Sequence, residues 1–141
     1  MLAGTGIAGV AASLAIIAVY FTTAHGDRPR WREATALVGL RLAGATTSDV
    51  DVVSDTRGVV AHYLGVPPGQ TMGHPLVRAP AWTVTRGAVA RETWFVVEDR
   101  LVPPASRLWL LDHCELRGTF PTQMVVRDRT VVVYRCLPGQ I

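Results

Sequence analysis

The first pattern along the chain is an unbroken apolar run. Residues 2–24, LAGTGIAGVAASLAIIAVYFTTA, carry no charged side chain. At about 1.5 Å per residue, a helix of that length crosses a hydrocarbon core of roughly 30 Å with some tilt. The pattern predicts a single-pass transmembrane helix in residues 1–26, a juxtamembrane segment in 27–47, and a small α+β domain in 48–141. A cleaved signal peptide is the alternative, since Thr22, Thr23 and Ala24 form a passable small-residue site. Against it, no Lys or Arg precedes the run, and the run is longer than a signal h-region needs. Gly4, Ala8 and Ala12 recur at i, i+4, and Ala15 extends that face. Small residues so placed let a neighbouring helix approach closely, because association in lipid depends on packing.

Beyond the run the periodicity shortens and mixes. In residues 27–45, DRPRWREATALVGLRLAGA, Trp31, Ala34, Leu37 and Val38 recur near helical spacing, whereas Val38, Leu40 and Leu42 alternate. A short helix and a first strand both fit, and Gly39 and Gly44 weaken the helix. Residues 48–64 hold the best soluble helix, although DVDVV at its start alternates like a strand. The surer part is Ser54–Leu64: Ser54 or Asp55 can accept the free amide hydrogens, and Val59, Val60, Tyr63 and Leu64 form a stripe. Gly65 and then Pro67–Pro68 should stop it. Residues 66–80, VPPGQTMGHPLVRAP, read as a surface loop.

From residue 81 to 136 the pattern turns to short runs rich in Val, Thr and aromatics. Trp82–Arg86, Thr93–Glu98, Arg107–Leu116, Gln123–Arg127 and Thr130–Arg135 are the predicted strands. Without a visible strand–helix–strand alternation, the sheet is expected to be mainly antiparallel.

Composition changes this picture in two places. All 14 basic residues of the 141 are Arg, and neither Lys nor Asn occurs, a bias that codon usage in a GC-rich, bacterial-type genome explains. The net charge is +3, but the arginines are scattered among Asp and Glu, with no basic run, which argues against nucleic-acid binding. Second, Arg28, Arg30 and Arg32 follow the apolar run and none precedes it, which places the C-terminal domain in the cytoplasm by the positive-inside rule. Cys114 and Cys136 pull the other way: as a disulfide they favour a periplasmic or extracellular domain, and otherwise they are two buried thiols.

The candidate chemistry is sparse. Asp112-His113-Cys114-Glu115 is the densest reactive cluster, but on a strand His113 and Cys114 point to opposite faces and cannot form a nucleophilic dyad. His25, His62, His74, His113, Cys114 and Cys136 show none of the CxxC, HxxxH or HExxH spacings of a metal site. No phosphate-binding glycine loop or GxSxG elbow is present, and no cofactor is expected. Glu98-Asp99 beside Arg100 reads as a solvated turn. Trp31, Trp82, Trp94 and Trp109 all lie outside the apolar run and are the predicted interface anchors.

These features point to a non-catalytic accessory or assembly subunit, anchored in the lipid bilayer and docking to other membrane protein subunits. Two alternatives stand beside it. One is an anchored or secreted enzyme or ligand-binding module whose site the fold assembles, for example from His74 and His113. The other is an envelope or pilus-like structural subunit.

Overall fold

A computed structural model of the chain describes residues 29–44, 49–82, 89–121 and 128–139. The predicted membrane span, with its packing face Gly4, Ala8, Ala12 and Ala15, lies outside these residues, as do most of the strand candidates 82–86 and 123–127. Among the described residues no helix is long and apolar enough to cross a membrane.

The described chain is a small α+β domain, with three helices packed on a five-stranded sheet. Helix α1 spans Trp31–Leu42, which resolves the helix-or-strand ambiguity of that stretch. Trp31, Ala34, Thr35 and Val38 bury one stripe, while Leu40, the residue a strand would have faced inward with Val38, is 78% exposed. Strand β1 (Val50–Val53) follows, and helix α2 (Arg57–Tyr63) forms the core of the predicted second helix. Gly65, at φ 89°, ends α2: its amide donates to the His62 carbonyl and the Val66 amide donates to the Ala61 carbonyl. That pair of bonds needs a left-handed residue between them, which glycine supplies without strain.

Strand β2 is only Val77–Arg78, inside the stretch expected to be loop. Strand β3 (Glu92–Glu98) is buried along its whole length. A 3-10 turn at Asp99–Leu101 leads to helix α3 (Pro104–His113), then strand β4 (Glu115–Phe120) and strand β5 (Val131–Cys136).

Two expectations are corrected. The stretch 107–116 is not a strand: residues 104–113 are helical, and only Glu115 and Leu116 of the expected strand belong to one. Pro104 occupies the first turn, where its missing N–H costs nothing, and Ser106 and Leu110 form the buried i, i+4 stripe. The continuous run Leu108–Leu111 looked like a buried strand because its apolar residues encircle the helix, leaving Leu108 and Leu111 outward. The second correction concerns the sheet, which is mixed rather than mainly antiparallel. Its order is β2-β1-β3-β5-β4, with β1 parallel to both neighbours and β5 antiparallel to both of its own. Residues 54–76 and 79–91 provide the long crossovers that parallel neighbours need. The first is a βαβ unit hidden from sequence, because its second strand is two residues in a Pro- and Gly-rich segment.

One face of the sheet packs against α1 and α2 through Trp31, Val38, Val52, Val60, Trp94, Val96 and Val133. The other packs against α3 through Phe95, Val97, Leu110, Val132 and Tyr134, with Trp82 and Val89 beside it. The Cys114–Cys136 disulfide joins the end of α3 to the end of β5.

Candidate functional site

The central strand β3 carries a buried carboxylate at each end, and these two groups organise the polar interior. Glu92 accepts from Arg41 Nη2 of α1 at 2.9 Å, Arg135 Nε of β5 at 2.8 Å and Trp94 Nε1 at 2.9 Å. Burial alone would push its pKa up, but the hydrogen bonds from Arg41, Arg135 and Trp94 outweigh it and hold the carboxyl at about 2. Glu98, 2% exposed, is clasped between Arg100 Nε at 2.8 Å and Arg129 Nε at 3.0 Å. Burial pushes its pKa up as well, yet the two guanidinium groups bring it below the usual glutamate value. The solvated-turn reading of Glu98 is therefore corrected. Arg129 lies 31 residues away, so nothing local in the sequence marks the pair.

Neither glutamate is placed to move protons. Each has its oxygens occupied by charge-assisted donors and a depressed pKa, so it stays ionised and paired near neutrality. Instead Glu92 joins α1, β3 and β5, and Glu98 ties the end of β3 to the turn after it and to the segment leading into β5.

Asp55 is the carboxylate in a different situation. It follows β1 and lies beside Glu98: its Oδ2 accepts the Glu98 amide at 3.2 Å and its Oδ1 accepts the Thr56 hydroxyl at 3.1 Å. Burial pushes its pKa up, and the nearby Glu98 charge adds to that, while the Glu98 amide and Thr56 hydroxyl counter it. Neither Ser54 nor Asp55 caps α2 by a side-chain bond to its first amides. Ser54 Oγ instead accepts the Thr56 amide at 3.0 Å, a local turn before the helix. Asp55 forms one end of a surface groove of about 710 Å³ between α2 and the 68–72 turn. A smaller hollow of about 500 Å³ lies over the Glu92 clasp, between Arg41, Asp49 and Pro138.

The residues singled out from sequence fall in several places. Cys114 and Cys136 are bonded, with Cα atoms 4.4 Å apart, so neither sulfur is available as a nucleophile. Asp112 and His113 end a helix and Glu115 starts a strand, which disperses the apparent motif. His113 Nδ1 lies 2.9 Å from the Trp109 carbonyl, and its ring stacks on that indole at 5.1 Å. His74 precedes β2 and His113 precedes β4, the two opposite edges of the sheet. Those strands are about 19 Å apart at ordinary strand spacing, so the two histidines do not share a site. Among the described residues no group of three His, Cys, Asp or Glu side chains could hold a metal ion. Trp31 and Trp94 are core residues of the two-helix face. Trp82 stacks on Phe95 at 6.2 Å, and both it and Trp109 are half-buried over the α3 face.

What sequence reasoning missed is a set of exposed leucines. Leu101, Leu108, Leu111 and Leu116 all follow β3 and are 47–63% exposed. Leu108 and Leu111 are i, i+3 neighbours on α3. Leu116 pairs in register with Tyr134 and so points to the same side of the sheet as α3. The signal was present in the apolar run itself, whose four successive positions 108–111 are too many for one buried helical stripe.

Comparison with protein-family models, curated proteins and solved structures gives no match.

Proposed function

We propose that this chain is a non-catalytic accessory subunit of a membrane protein complex, tethered by the apolar segment 2–24 and docking through the α3 side of its sheet. The observation that carries this reading is the exposed Leu108–Leu111 pair on α3, with Leu116 exposed on the same side of the sheet, next to the helix end that the disulfide ties to β5. Exposed apolar patches on small domains mark interaction surfaces. The saturated clasps at Glu92 and Glu98 support a non-catalytic role, since their proton-transfer capacity is spent on pairing. The disulfide supports placing the domain on the oxidising side of the membrane, the alternative to the cytoplasmic side that the arginine count favours.

Native membranes extracted in mild detergent and run on a native gel test the reading. The chain is expected in a discrete large complex, and Leu108→Glu with Leu111→Glu is expected to release it as a small species. Migration as a small species before mutation, or an unchanged complex after it, overturns the proposal. An alkylation gel shift on unreduced whole cells tests the sidedness: protected cysteines are expected, and free thiols would return the domain to the cytoplasm.

A further inference from the structure

The groove beside α2 is a second surface, on the opposite side of the sheet from α3 and its exposed leucines. Its wall is built by a turn that bends back on the helix. Gly65, Gly69 and Gly73 all adopt positive φ, and Met72 comes down against the start of α2, where a Cβ on Gly58 would lie 2.9 Å from the Met72 sulfur. The groove's volume lies in the range of small-molecule sites. Its position outside the carboxyl ends of β1 and β3 is where open parallel sheets place ligands, since the chain leaves β1 toward the α1–α2 face and leaves β3 toward the α3 face.

The lining is divided. Tyr63, Pro68 and Met72 are apolar and exposed, while Arg57, His62 and Thr71 are polar. Arg57 is exposed and makes no ion pair among the described residues, whereas the nearby Asp55 has both oxygens engaged by Thr56 and the Glu98 amide. The uncommitted charge of the groove is thus positive and forked, the geometry that matches a carboxylate.

We infer that this groove binds a small amphipathic carboxylate, with Arg57 holding the carboxylate and Tyr63, Pro68 and Met72 covering its apolar part. The inference does not depend on the docking role proposed for α3.

The chain has three methionines, Met1, Met72 and Met124, so carbon-13 methyl NMR of the full chain in lipid nanodiscs reads the groove directly. Titration with naphthylacetate is expected to shift the Met72 methyl saturably while Met1 and Met124 stay in place. Arg57→Gln should weaken the response about tenfold, the value of one charge-assisted contact. Naphthylethanol, which lacks the charge, should lose a similar factor. An unmoved Met72, equal shifts of all three methyls, or an undiminished response in Arg57→Gln overturns the inference. So does tighter binding of naphthylethylamine, which would put the anchoring charge on Asp55.

Discussion

The two faces of the sheet are covered by different means. On one, α1 and α2 bury Trp31, Val38, Val60 and Ala61 against Trp94, Val96 and Val133, and Arg41 reaches the sheet to clasp Glu92. On the other, α3 contributes only Ser106 and Leu110 as fully buried side chains, and a disulfide pins its end to β5. Two amphipathic helices give enough contact to hold a layer by burial. One helix with a narrow buried stripe does not, and a covalent staple substitutes for the missing area. The same arrangement leaves the outer leucines of α3 free, so the thinly covered face is also the one that presents an apolar surface.

The sharpest way to break this contrast is to remove the staple. Cys114→Ala with Cys136→Ala should cost about 3 kcal/mol, the chain-entropy value for a closed loop with a separation of 22 residues. Denaturant unfolding measures the loss. Hydrogen exchange should show α3 amides losing protection before those of α1 and β3; uniform loss would mean that the two faces are equally held.

On the other face, Glu92→Gln should cost about 2 kcal/mol by leaving Arg41 and Arg135 without a charged partner. Its pH signature is specific. The clasp holds the folded Glu92 carboxyl at about 2, below the ordinary glutamate value, so its contribution is present above the unfolded pKa and is lost as pH falls toward about 2. The variant should flatten that acid limb of the stability curve, and an unaltered limb would assign it to other carboxylates such as Glu98.

Smaller effects sharpen the comparison. Gly39 lies inside α1, and a Cβ there would meet nothing within 4 Å, so Gly39→Ala should raise stability by about 1 kcal/mol in thermal unfolding. Leu108→Glu with Leu111→Glu should change the stability of the isolated chain by less than about 0.5 kcal/mol per site, because both side chains already face solvent. A large loss there would show that α3 depends on those leucines for folding rather than docking.

Much of the first face was legible along the chain. The Val-rich strands at 93–98 and 131–135 and the Gly65 stop follow from periodicity or backbone conformation within a few residues, while the Trp31–Ala34–Val38 stripe was visible but competed with a strand period at Val38, Leu40 and Leu42. The second face was not. The run 107–116 has strand-like composition, and its helix depends on Pro104 starting a turn and on Leu110 finding Phe95 and Tyr134 beneath it. The acidic residues divide in the same way: Arg100 stands two positions from Glu98 and was visible, while Arg129, Arg41 and Arg135 reach their glutamates across 31 to 51 positions.

Sequence by itself determined where the apolar segment ends, the helix start and Gly65 stop of 54–65, the Val-rich strands at 93–98 and 130–135, and which two cysteines were available to pair. These depend on residue type and spacing over one or two turns of chain. Tertiary structure alone decided that β1 runs parallel to β2 and β3, that Glu92 and Glu98 are buried yet ionised, and that Leu108 and Leu111 face outward. Each of those outcomes depends on a partner brought near only by folding, and burial has no meaning until that partner is in place.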